Sequence, residues 1–169
     1  MMEPIPDQPE NRIDLDLAPP GARMGARAID TLIGIGVYVT ISLILVSSGN
    51  IEIINEEAIY SDTARSALLW IPPLVWGLYE VLMILNRGQT LGKIVTKIKV
   101  ITVDGEEPPP IRHALFRWGV LAIPTILIPT LGLFIAFAFG IWFLFDSNRQ
   151  GLHDKAASTY VVKVEPADS

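Results

Sequence analysis

The 169-residue sequence contains no cysteine. This excludes disulfides and thiolate metal sites and leaves the redox compartment open. Its two histidines, His113 and His153, lie far apart in the chain and have no metal-ligand spacing. Both are expected to be satisfied polar residues at an interface, and no metal or other cofactor is expected. No Ser/His/Asp or thiol constellation is present, so an enzyme is not expected. Basic residues form no patch of the kind that nucleic-acid binding requires. Charge is scarce throughout: 18% of residues are charged and 50% are hydrophobic.

The apolar residues come in uninterrupted blocks, not as the periodic faces of a soluble domain. Ala28–Ser48 carries Asp30 as its only charge, Ala67–Leu85 carries only Glu80, and Trp118–Phe145 carries none. About 20 apolar residues span the ~30 Å hydrocarbon core as a helix, so the chain reads as an integral membrane protein in contact with the lipid bilayer. The first block lies too far in to be an ordinary signal peptide, and five acids precede it where a basic region is needed. A retained helix from about Ala22 to Ser48 is expected, then a second ending near Leu85 with Pro72 and Pro73 kinking or starting it.

Residues 1–20 are acidic and bear five prolines, and are expected to form a disordered tail. Residues 21–164 form the membrane domain, and 165–169 a C-terminal tail. The loop 49–66 holds four acids against Arg65, whereas 86–117 holds six basic residues against three acids. By the positive-inside rule the amino terminus and the second loop face the cytoplasm of a multi-pass inner (cell) membrane protein. Two short strands are expected, Lys97–Val103 and Thr159–Val164, and they would plausibly pair to satisfy their ladders.

That pairing bears on the third block. A single helix of 28 residues would be ~42 Å long, and Pro124, Pro129 and Gly132 interrupt it. One reading is a single tilted, kinked helix with the C-terminus outside. The other is a hairpin of Ile111–Leu127 and Thr130–Phe145, each arm about 24 Å long, with the C-terminus in the cytoplasm. The strand pair favours the hairpin. The fold class is therefore an all-α membrane bundle of three to four helices with a short cytoplasmic strand pair.

Arg23, Arg27 and Asp30 lie at i, i+4 and i+7, on one helix face. Spacing places Asp30 about 6 Å and Glu80 about 8 Å from the same membrane surface, and Lys93, Arg117 and Asp154 follow on that side in the hairpin reading. In one reading these seven residues are a structural network whose arginines keep Asp30 ionised. In the other, Asp30 and Glu80 bind a monovalent cation or relay a proton, with the arginines tuning them. The four tryptophans mostly flank apolar runs and are expected as interfacial anchors.

Several short motifs resemble one family in order along the chain. Arg23-Met-Gly-Ala-Arg-Ala-Ile-Asp30 resembles the opening of the RDD family of membrane proteins, and Gly88-Gln-Thr-Leu-Gly-Lys93 its segment after the second helix. Ala114-Leu-Phe-Arg117 and Gly151-Leu-His-Asp154-Lys-Ala-Ala-Ser-Thr159-Tyr-Val-Val are similar to its later motifs, except that Ser158 stands where glycine is more usual. The resemblance implies that Arg23, Asp30 and Asp154 are the family's naming residues, and that transport of ions or small ligands is a suggested activity. Two functions follow as expectations. One is transport of cations, protons or a small ligand, with the pathway formed between protomers of a homo-oligomer. The alternative is a non-transporting scaffold or accessory subunit in which the charged cluster is structural.

Overall fold

The computed structural model describes residues 15–164. Residues 1–14 of the expected tail and the C-terminal 165–169 lie outside the described residues. Residues 15–19 depart from the expected tail. The Ala18 N–H donates to the Val161 carbonyl at 2.9 Å, Lys163 N–H donates to the Asp16 carbonyl at 2.9 Å, and Leu17 bridges Val162. A short strand offers unpaired groups along its free edge, and this segment covers them.

Helix α1 spans Pro20–Ser47 and has Pro20 at its first position, where a missing N–H costs nothing. Strands β1 (Ile51–Ile54) and β2 (Glu57–Tyr60) then form an antiparallel hairpin in what the sequence suggests is only a loop. The tight turn is made by Asn55 and Glu56, both at positive φ, which matches the twist of a two-residue hairpin.

Helix α2, Asp62–Arg87, begins earlier than the second apolar run implies, because Ser61 Oγ caps it by accepting from Ala64 N–H at 3.1 Å. Pro72 and Pro73 lie inside this helix and do not start it. Gly88 ends it in the left-handed conformation. Thr90 then caps a one-turn helix α3, Leu91–Val95, inside the Gly88–Lys93 motif and the residues just after it.

Strand β3 (Ile98–Thr102) pairs antiparallel with β4 (Thr159–Lys163), in register from Ile98 opposite Lys163 to Thr102 opposite Thr159. The third apolar block is two helices, α4 (Ile111–Leu127) and α5 (Pro129–Ile141), which pack against each other, and a 3-10 turn at Trp142–Leu144 follows. Ile128, at φ −135° and ψ 73°, breaks the block just before Pro129, since a residue preceding proline is pushed out of the helical region. The block is therefore not one continuous helix, and its two arms pack against each other as in the hairpin reading. Helix α6, Leu152–Ala156, leads into β4.

Helices α1 and α2 are long and apolar enough to cross a membrane. Their outward side chains are largely uncovered, Leu32 at 68% and Leu78 at 62% exposure, as is Phe137 of α5 at 65%. Apolar surface of this extent suits a lipid environment. The main core sits at one end of the bundle. There Ala26, Val81, Ile84 and Ala114 of the helices pack with Ile98, Val100 and Val161 of the strand pair.

Candidate functional site

Asp154 is fully buried at the start of α6, and the chain closes around it from four elements. Arg23 of α1 donates from Nη1 to Oδ2 at 3.0 Å, Arg117 of α4 donates from Nη1 to Oδ1, and the Gly151 N–H donates to Oδ2 at 2.9 Å. Arg117 Nη1 also donates to Thr159 Oγ1 at 2.8 Å, and that hydroxyl donates to the Asp154 carbonyl at 3.3 Å. The Arg23 guanidinium stacks 5.3 Å from the Phe143 ring centroid. Burial by itself would raise the Asp154 carboxyl. The charges of His153 when protonated, Arg117 and Arg23 outweigh it and hold the group well below the usual carboxylate range. A carboxylate with this many donors is a structural tie between helices and strands.

Asp30 is the second tie, and its partners differ from those the sequence suggests. Neither Arg23 nor Arg27 pairs with it. Oδ1 accepts from the Tyr79 hydroxyl at 2.9 Å and from Gly92 N–H at 2.8 Å, and Oδ2 accepts from Thr90 Oγ1 at 2.6 Å. The Tyr79 hydroxyl in turn accepts from Leu91 N–H at 2.9 Å. Asp30 thus satisfies the Gly92 N–H, one of the backbone donors at the start of α3 that have no intrahelical partner, and holds the Tyr79 hydroxyl that accepts from a second, Leu91 N–H. Gly92 permits this closeness: a Cβ there would collide with the Ala26 carbonyl and stand 2.9 Å from Asp30 Cγ.

The remaining charged residues are less committed. Glu80 is 3% exposed and its Oε2 has no hydrogen-bond partner. Arg27 forms no ion pair or hydrogen bond among the described residues. Lys93 Nζ donates only to Thr90 Oγ1, at 3.3 Å. Burial lowers the Lys93 ammonium to about 8, against the opposing pull of Glu80. His153 is buried, not interfacial; burial lowers its imidazole to about 3, and its Nδ1 is unpartnered. His113 instead meets the Ala157 carbonyl through Nδ1 at 2.5 Å.

Two spaces adjoin at Arg27, Gly140 and Phe143. One is a polar chamber of ≈ 40 Å³ walled by Arg23, Asp30, Lys93, Arg117, His153 and Asp154. That is room for a few water molecules. The other is an apolar cavity of ≈ 970 Å³ between α1, α2, α4 and α5, with Arg27 and Glu80 in its lining. Trp76 and Trp118 line this cavity, so they are not both simple surface anchors.

The structure therefore brings Arg23, Arg117 and Asp154 into direct contact and places Arg27, Asp30 and Lys93 around the same chamber. Glu80 lines the adjoining cavity. The structural partners that sequence reasoning missed are Tyr79, Gly92, Thr90 and Thr159. The last three lie inside motifs quoted above, which is the signal that could have found them.

Comparison with curated proteins and with solved structures finds no match. The model of the RDD family matches residues 17–158, a span that holds every charged residue of the site. With both aspartates and both arginine ties inside the matched segment, the chain belongs to the RDD family, whose members are membrane proteins.

Proposed function

We propose that this is a multi-pass transport-class protein in which Glu80, not Asp30, is the working carboxylate. The amino and carboxyl termini lie in the cytoplasm, in keeping with the basic 86–117 loop and with β3 pairing β4. One observation carries the reading: Glu80 is buried with an unpartnered Oε2, while Asp30 and Asp154 each accept at least three hydrogen bonds. A buried ionisable group without a bonded partner is the one free to exchange a proton or hold a ligand. Arg27 lines the same cavity as Glu80, and the adjoining ≈ 40 Å³ chamber, walled by Arg27 and Lys93, supplies room for water.

Proteoliposome flux tests this. Intact protein is expected to move protons or a small cation, and Glu80→Gln to abolish that movement while Asp30→Asn keeps some wherever it folds. Absence of movement by intact protein across several cations would sink the transport reading. The alternative, a scaffold with a purely structural cluster, is favoured by the complete satisfaction of Asp30 and Asp154. It gains if intact protein moves no ion while Asp30→Asn or Asp154→Asn loses folded protein; unchanged flux in Glu80→Gln would instead remove Glu80 as the working carboxylate.

A further inference from the structure

We infer that the ≈ 40 Å³ polar chamber is a binding site for one small monovalent anion, chloride in kind, held between Arg27 and Lys93. The charges around it do not balance. Arg23, Arg27, Lys93 and Arg117 bring four positive charges to its wall, where Asp30 and Asp154 bring two negative ones. Glu80, in the adjoining cavity, adds a third carboxylate. The His153 imidazole contributes no charge near neutral pH, because burial lowers it to about 3. One positive charge is left over.

The carboxylates are also committed elsewhere. Asp154 is shared by Arg23 and Arg117, and Asp30 accepts from Tyr79, Thr90 and Gly92, none of them a cation. Among the described residues, neither Arg27 nor Lys93 has a carboxylate oxygen within 4.0 Å. The other charged residues of the wall are buried, whereas Arg27 and Lys93 are half-buried. The chamber is therefore reached from the side of its two unpaired cations.

Lys93 registers the surplus. Arg27 and Asp30 of α1, Glu80 of α2 and Arg117 of α4 face its charge, and Asp154 and His153 of α6 complete the wall. Its ammonium is lowered from 10.5 to about 8, chiefly by burial and further by the two arginines. The cluster sheds its surplus either by losing this proton or by taking in an anion. Size and charge then select the occupant. The space admits a monatomic ion in place of water, and a divalent anion overcompensates a single surplus charge. The site does not rest on the transport reading, since the surplus only grows when Glu80 takes up a proton.

Thermal melting of the full-length protein in detergent, in sodium chloride against sodium gluconate at equal ionic strength, tests this. The melting temperature is expected to rise with chloride, as for any ligand that binds only the folded state. The rise is expected to be larger at about pH 6.5 than at about pH 9.5, because Lys93 loses its proton between them. Lys93→Gln and Arg27→Gln are each expected to weaken chloride about tenfold or more. Lys93→Arg keeps its charge and is expected to retain the response at about pH 9.5, which a merely structural lysine does not require. If the glutamine variants do not fold, bromide in crystals of the parent protein decides, with its anomalous signal expected between Arg27 and Lys93. Equal melting in chloride and gluconate overturns the inference. So does the same rise in sulfate, a response that both glutamine variants keep, or bromide bound only elsewhere.

Discussion

Arg23, in the first turn of α1, donates to Asp154 at 3.0 Å across 131 residues of chain. Both groups are buried, and Arg117 completes the tie from α4. The ends of the membrane domain are thereby joined at the level where the strand pair packs under the helices.

Removing the shared carboxylate leaves two guanidiniums buried without their acceptor. Breaking a buried pair from one side costs ~3–5 kcal/mol. Asp154→Ala is expected to lower thermal stability in detergent strongly, with less folded protein recovered from membranes. Near-parental melting would mean that the tie contributes little.

Acidification is expected to destabilise the fold in a defined window. His153 has its proton affinity lowered from 6.5 to about 3 by burial. Between those values the unfolded chain binds a proton that the folded chain refuses, so stability falls as pH drops. The slope is at most ~1.4 kcal/mol per pH unit for one group. Asp154, also held low, adds in the same direction once pH falls below its ordinary 3.8. Melting temperature followed from pH 7 to pH 4 is the measurement. His153→Gln is expected to flatten the curve between about 6.5 and 4, and an unaltered slope would remove His153 from the account.

Asp30→Ala is expected to free the start of α3. It strips acceptors from the Thr90 hydroxyl, the Tyr79 hydroxyl and the Gly92 N–H. Each buried donor left unsatisfied costs ~1–3 kcal/mol. Hydrogen exchange over residues 90–96 is expected to accelerate more than exchange in β3. Equal protection in both proteins contradicts the capping role.

Ser158 stands at φ 50°, between α6 and β4. A non-glycine residue pays ~1–2 kcal/mol in the left-handed region. Ser158→Gly, which removes the Cβ, is expected to raise stability by up to about 1 kcal/mol after the entropy of the unfolded glycine is subtracted. A lowered melting temperature would show that the Ser158 side chain contributes something beyond conformation. This is also the position where the chain departs from the usual glycine of the family pattern.

Run length, periodicity and proline position were enough to read the two long helices, the broken third block and the two strands that pair. Each of these is a local property. Ile128 breaks the helix because Pro129 follows it, and Ile98 and Val100 of β3 are buried with the half-buried Lys99 between them, as alternation along a strand requires. The β1–β2 hairpin escaped because its turn is Asn55-Glu56, a weaker signal than Asn-Gly. The mooring of residues 15–19 escaped because it depends on a strand edge almost the whole chain away.

By itself, then, the sequence determined a mostly helical membrane protein with two long apolar helices, because hydrophobic run length is a local property. Only the tertiary structure decided which charge meets which. Arg27 is three residues from Asp30 and does not bond it, while Thr90, Gly92 and Tyr79 do. Asp154 receives the arginines instead. Helix spacing places side chains on a common face, but pairing depends on the rotation and close approach of packed elements. Gly92 against Ala26 and β4 beside Arg117 are contacts that no local pattern encodes.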